Sequence, residues 1–200
     1  MSTIILDCDG VLLNWRDSFN QWCIENGFFK DYNSWPNWDY RYQPYIASDF
    51  AKIPGFDLTL GKLFAESYHI AKLPPLPGAV EAVHKMQAAG HTIKLISSFS
   101  NNYQSKKMRE ENLVNVFGEG VFQECVFLPF RSPKIDYLRA FNQQDHCVYV
   151  EDFEKHLDEA VEAGISSACC LLISNTFNHK HKPEYRRGGW DSTVKFILGE

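Results

Sequence analysis

From residue 77 onward the chain alternates at short intervals between stretches with strand chemistry and stretches with helical periodicity, an order that few folds accommodate. Pro77-Gly78 opens a helical stretch with apolar residues at Ala79, Val80, Val83 and Met86, closed by Gly90. Thr92-Ile93-Lys94-Leu95-Ile96 reads as a strand ending in Ser97-Ser98. A polar helix over 103–114 and a strand over 121–128 follow. Ser132-Pro133 announces the next helix, with Ser132 expected as N-cap and Pro133 as its first residue. A strand over 146–150 stops at Glu151-Asp152, a helix around Leu157, Ala160 and Val161 ends at Gly164, and 168–173 reads as a further buried strand. Strands alternating with helices of this size predict an α/β fold, a Rossmann-like parallel sheet covered by helices on both faces. Ligands of such sheets bind beyond the carboxyl ends of the strands.

A strand also starts the chain. Thr3-Ile4-Ile5-Leu6 is rich in β-branched residues and too short for a helix. It delivers Asp7 and Asp9, spaced i and i+2, to one side of the chain, and Gly10 then permits a sharp turn and close backbone approach. Two neighbouring carboxylates repel unless a cation or a shared proton compensates them. The same string also occurs as an ordinary turn or in calcium-binding loops. Cys8 between them reads as a strand residue facing the other way.

The remaining polar residues fall at the other strand ends: Ser97, then Glu151 and Asp152. Lys134 is expected in the first turn of a helix, where a cation opposes the helix dipole at roughly 0.3–1 kcal/mol. Carboxylates and a phosphate facing it would turn that penalty into a gain. Phosphoryl transfer needs a nucleophile, neutralised phosphate oxygens and a proton for the leaving group. Asp7 suits the first role and Asp9 the last, with Ser97 and backbone N–H groups of the turns, Gly10's among them, on the phosphate oxygens. Mg²⁺ prefers oxygen ligands, which Asp7, the Asp9 backbone carbonyl and Asp152 can provide.

The ordered set Asp7-x-Asp9-Gly10-Val11, Ser97, Lys134 and Glu151-Asp152 resembles the motifs of the haloacid dehalogenase superfamily. The resemblance implies a Mg²⁺-dependent phosphatase working through an aspartyl-phosphate, and the second acid favours a phosphatase or phosphomutase over transport ATPases and dehalogenases. Ser97 stands where Thr is frequent, Glu151 where many relatives have Gly or Asp, and His156 where some carry a further acid. Glu151 is read as a neighbour of the metal site or a solvated acid.

Residues 14–76 break the alternation and read as a small helical cap inserted after the first strand, leaving 1–13 and 77–200 as the catalytic core. Helices are expected over 15–26 and 58–71, with an irregular aromatic stretch between. The run from Leu73-Pro74-Pro75-Leu76-Pro77-Gly78 through Val83 resembles the cap-to-core junction of the 5'(3')-deoxyribonucleotidases. That resemblance implies a base packed against cap aromatics, matched here by Trp15 and Phe64, with Trp35 or Trp38 as a looser match. It also implies a serine beside the phosphate, matched by Ser98, and one more cation from Lys106, Lys107 or Arg109. Base stacking is worth roughly 1–3 kcal/mol, but a small cap also needs bulky side chains simply to make a core.

A net charge of −5 argues against general nucleic-acid affinity. No apolar stretch is long enough to span a bilayer and no signal-peptide pattern precedes the first strand, so a cytoplasmic protein is expected. None of the six cysteines forms a Cys-x-x-Cys pair, and no zinc site or disulfide framework is expected. The tail holds His179-Lys180-His181-Lys182 and Arg186-Arg187, read as a solvated basic loop in preference to a metal-binding histidine pair, with Trp190 packing onto the core. The sequence therefore predicts hydrolysis of a small phosphomonoester, a (deoxy)nucleoside monophosphate first among them. The alternatives are a sugar phosphate, another metabolite, a nucleic-acid end, or a catalytically idle module that binds nucleotides or a partner protein.

Overall fold

The first strand, β1 (Thr3–Leu6), is wholly enclosed, with Ile4, Ile5 and Leu6 at 0% exposure. Successive side chains point to opposite faces: Ile4 and Leu6 join one apolar cluster while Ile5 joins a second on the other side of the sheet. A strand buried on both faces needs helices on both, and the rest of the chain supplies them. The computed structural model describes residues 2–27, 60–142, 147–175, 178 and 183–200. After β1 come α1 (Trp15–Glu25), α2 (Leu60–Ala65), a 3₁₀ turn at Tyr68–Lys72, α3 (Ala79–Ala88) and β2 (Thr92–Ser98). Next are α4 (Tyr103–Phe117), β3 (Glu124–Leu128), α5 (Ile135–Asn142), β4 (Cys147–Glu151) and α6 (Glu154–Glu162). A short 3₁₀ turn at Ser167–Cys169 leads into β5 (Cys170–Ile173), followed by β6 (Arg186–Gly188) and α7 (Trp190–Leu198).

The six strands lie in the order β3-β2-β1-β4-β5-β6, every pairing parallel. The expected α/β architecture is the one found. Leu6 of β1 pairs with Leu95 on one side and Val150 on the other, so the residues following these three strands emerge together at one edge. The 200-residue chain thus puts its strand-end polar residues at the middle of the sheet, where β1 separates the two directions of winding.

Three local expectations change. The helix expected over 58–71 stops at Ala65, because Ser67 is extended (φ −86°, ψ 159°) and its hydroxyl donates to the Phe64 carbonyl at 2.7 Å. The chain resumes only as the 3₁₀ turn. Ser132 and Pro133 lie before α5, not inside it: Ser132 N–H donates to the Pro129 carbonyl at 3.0 Å, a β-turn that delays the helix to Ile135. Part of the basic tail is sheet and not loop. Arg186 and Arg187 belong to β6, the sheet's edge strand, and α7 follows directly. Trp35, Trp38 and the histidines at 179 and 181 lie outside the described residues.

The segment between β1 and α3 leaves and returns through one pair of extended crossings. Leu76 N–H donates to the Leu12 carbonyl and Asn14 N–H to the Pro74 carbonyl, both at 2.8 Å. Asn14 then caps α1, its side chain accepting from the Asp17 N–H. Trp190 of α7 is 4% exposed, and its indole N–H donates to the Val11 carbonyl at 2.8 Å. No helix among the described residues is long and apolar enough to cross a membrane.

Candidate active site

Asp7 follows β1 directly, and its own N–H still donates to the Val150 carbonyl at 3.0 Å, as if the ladder ran one residue further. That tie points its carboxylate, 5% exposed as a residue, at the loop before α5. There Lys134, immediately N-terminal to the helix and 1% exposed, places Nζ 2.5 Å from Asp7 Oδ1 and 2.8 Å from Glu151 Oε2. Lys134 is held from below as well. Its N–H donates to Glu159 Oε2 at 2.7 Å, and His156 Nδ1 lies 3.1 Å from that same oxygen.

Tyr149 completes the cluster. Two residues before Glu151 on β4, it faces the same way, accepts a hydrogen bond from Lys134 Nζ at 3.2 Å and donates to Glu151 Oε2 at 2.5 Å. Asp152 follows β4, and one oxygen each of Asp7, Glu151 and Asp152 lie within 4.8 Å of one another. Three carboxylates and one ammonium leave a formal excess of two negative charges. Burial, reinforced by the Glu151 charge, pushes the Asp7 carboxyl well above its ordinary range despite Lys134. Burial acts on Glu151 too, but Lys134 and His156 outweigh it and hold that carboxyl low. Burial disfavours the Lys134 ammonium, yet facing Asp7 and Glu151 raises its pKa above the usual lysine value.

A hard divalent cation fits this donor set: all oxygens, with charge to neutralise. Glu151 Oε2 is already taken by Tyr149 and Lys134, whereas Asp7 meets Lys134 through Oδ1. Asp152 is braced from the opposite side. Asn175 Nδ2 donates to Asp152 Oδ2 at 3.0 Å, and Asn178 Nδ2 donates to both the Asp152 carbonyl (3.0 Å) and the Ile173 carbonyl (2.7 Å). Arg187 of β6 donates through Nε to Asn178 Oδ1 at 3.1 Å. Gly10 (φ +86°) lies against Asp152 so closely that a side chain there would displace the carboxylate.

The expected pairing of Asp7 with Asp9 is not what the structure holds. Strand alternation would put them side by side, but β1 ends at Leu6, and Leu12 and Leu13 N–H both donate to the Cys8 carbonyl at 2.9 Å in a tight turn. Asp9 is turned toward α4. Arg109 there, 0% exposed, sets Nη1 2.7 Å from Oδ1 and donates through Nη2 to Oδ2 at 3.2 Å. Each acid therefore has its own cation. Burial raises the Asp9 carboxyl while Arg109 pulls it back, and the balance stays above the ordinary value. Cys8, expected as a strand residue, lies instead in the turn after β1; its side chain is buried in the apolar cluster with Leu6, and burial pushes the thiol far up, away from nucleophile chemistry.

Ser97 is buried (2% exposed) near the end of β2, the strand beside β1. Ser98 donates to the Ser132 carbonyl at 2.6 Å, so it pins the loop that carries Lys134. Trp15 and Phe64 are 4% and 0% exposed. Their rings meet edge-on at 5.2 Å, and Trp15 stacks on Phe19 at 4.8 Å. They form an apolar core shared with the sheet and present no open stacking face.

Sequence reasoning misses Tyr149, Asn175, Asn178 and Glu159, and reads Arg187 only as part of a solvated basic loop. Only Tyr149 carried a signal, its i−2 position to Glu151 on a strand. Arg109 stood as one of three interchangeable cations until the helix phase buried it.

No protein-family model matches the sequence, and no curated protein matches it. Solved structures do. A haloacid dehalogenase family hydrolase from Deinococcus radiodurans R1, with bound phosphate and sodium, matches with a TM-score of 0.65 at 16% identity, covering 100% of this chain and 95% of that one. The D,D-heptose 1,7-bisphosphate phosphatase of B. bronchiseptica, complexed with magnesium and phosphate, gives 0.62 at 14% identity, covering 100% and 99%. A haloacid dehalogenase-like family hydrolase from Streptococcus pneumoniae gives 0.60 at 13% identity and 98% of both chains. At these identities the likeness is one of fold.

Proposed function

We propose that the protein is a Mg²⁺-dependent phosphomonoesterase that works through an aspartyl-phosphate on Asp7. The observation that carries this reading is the buried cluster of Asp7, Lys134, Glu151 and Asp152, whose negative excess calls for a divalent cation. Structural neighbours described as haloacid dehalogenase-like hydrolases, and a bisphosphate phosphatase complexed with magnesium and phosphate, point the same way.

Asp7 would attack phosphorus in line with the departing alcohol. Its pKa is high for a nucleophile, so Lys134 is needed to keep it ionised. Ser97 and the turn N–H groups after Asp7 would hold phosphate oxygens. Asp9, its carboxyl raised by burial against the pull of Arg109, would protonate the leaving oxygen and then take a proton from the attacking water. Asp7, Asp152 and the Asp9 carbonyl would hold Mg²⁺, which supplies charge neutralisation for the phosphate oxygens when bound.

For the ester, a small phosphorylated metabolite is the coarse reading and a (deoxy)nucleoside monophosphate the finer one. The finer reading rests on the junction at 73–83, not on Trp15 and Phe64, whose rings are occupied by each other. Phosphate release across nucleoside monophosphates and sugar phosphates, with and without added Mg²⁺ and in Asp7→Asn, tests both levels. Turnover that needs Mg²⁺ and disappears in Asp7→Asn is expected. Phosphate release that survives Asp7→Asn removes the reading, and sugar phosphates outpacing every nucleotide removes the finer one.

A further inference from the structure

Arg109 is among the largest fully buried side chains among the described residues, and nothing in the Asp7 cluster requires it, since Lys134 already serves there. A buried guanidinium is costly unless its partners are fixed. Its partners are few: both oxygens of Asp9, Cys8 Sγ at 3.3 Å from Nη1, and the face of Phe99 at 4.8 Å. Nε has no hydrogen bond among the described residues. Asn112, one turn on along α4 and buried too, donates to the Leu73 carbonyl at 3.1 Å. The helix is thereby fixed to the chain at the junction, and the guanidinium cannot drift. Asp9 itself keeps 20% of its side chain exposed, so the carboxylate is gripped from its buried side and remains reachable from the other.

We propose that Arg109 is the positioning residue for Asp9: it anchors the carboxyl group away from Lys134, at the place where a proton is passed to the bridging ester oxygen. The inference rests on the phosphomonoesterase reading. In the first half-reaction the Asp9 carboxyl gives its proton to the bridging oxygen as the bond from phosphorus to that oxygen breaks and the bond to Asp7 forms, so the alcohol leaves neutral. In the second, Asp9 takes a proton from water as the water oxygen bonds to phosphorus, freeing the Asp7 carboxylate and inorganic phosphate. Arg109 stays charged throughout. Among the described residues no other cation pairs with Asp9, so without Arg109 the donor would be misplaced.

A misplaced proton donor matters only when the leaving group needs a proton. Arg109→Gln is therefore compared with the unmodified enzyme on p-nitrophenyl phosphate, a good leaving group, and on a primary alkyl phosphate, a poor one. General-acid assistance contributes about 10²–10⁴-fold, so kcat on the alkyl ester is expected to fall at least ~10-fold further than on the aryl ester. In an Asp9→Asn background, adding Arg109→Gln should leave the alkyl-to-aryl ratio within about twofold, because Arg109 acts through Asp9. Should Arg109→Gln not fold, Arg109→Lys, which keeps the charge without the planar two-nitrogen edge, carries the same comparison. Equal losses on the two esters, a gain on the alkyl ester, or a ratio that still shifts without Asp9 overturns the inference and leaves the phosphatase reading standing. If the unmodified enzyme hydrolyses neither ester nor any member of the panel, the phosphatase reading falls and takes the inference with it.

Discussion

Gly10 and Asp152 compete for one small volume: a methyl group at position 10 would lie 2.7 Å from Asp152 Cγ and closer still to Oδ2. The backbone there has φ +86°, a region that costs other residues roughly 1–2 kcal/mol. Gly10→Ala is expected to lower the melting temperature and to weaken Mg²⁺ binding by ten-fold or more, because Asp152 must move. Calorimetric titration of Mg²⁺ checks it, and an unchanged affinity would mean that Asp152 is not a ligand.

Asn175 holds the same carboxylate through its bond to Oδ2. Asn175→Ala should weaken Mg²⁺ binding by about 10–100-fold, the range for lost partners of metal ligands. The fold should be largely kept, since the sheet does not depend on this side chain. Titration of the metal alongside thermal melting separates the two effects.

Glu159 secures Lys134 by accepting from its backbone N–H and facing His156. Burial acts to raise its carboxyl, but the His156 and Lys134 hydrogen bonds win and hold it below the usual glutamate range. A depressed carboxyl stabilises the fold above its unfolded pKa, and that stability is lost as pH falls through the folded value. Glu159→Gln should therefore cost about 1.5–3 kcal/mol at neutral pH. The gap to the unmodified protein should close as the pH drops below about 4. Denaturant unfolding at several pH values would show it, and a gap that widens in acid would contradict the assignment.

Trp190 donates to the Val11 carbonyl in the turn after Asp9-Gly10. Trp190→Phe keeps most of the apolar area but leaves that carbonyl unpaired. A loss of about 1–3 kcal/mol is expected. Trp190→Ala should cost more, about 3–5 kcal/mol, from the cavity it opens. Urea unfolding of both variants gives the comparison.

What could be read before folding was whatever depends on local order. β1 is legible because four consecutive β-prone residues mark a strand, and Lys134 because a cation near a helix start stands out among acids, although it lies just ahead of α5 and not in its first turn as expected. The separation of Asp7 from Asp9 was not legible. It depends on where a strand stops, and Leu6 ends β1 through the turn that Cys8 closes with Leu12 and Leu13. Nor could Arg109 be told from Lys106 and Lys107. All three lie on a polar helix, and only the phase of α4 against the 3₁₀ turn at Tyr68–Lys72 buries one of them. Asn175 and Asn178 sit in a loop with no periodicity, and their bonds to Asp152 and to each other exist only once β5 lies beside β4. Trp15 and Phe64, expected to face a base, are buried against one another, a contact that depends on how α1 meets α2 and not on local order.

The bond between Trp190 and Val11 joins positions 179 residues apart in the chain. The turn after Asp9 and Gly10 therefore takes its brace from a helix far along the chain, and local folding of the first strand cannot complete that turn before α7 has packed against it.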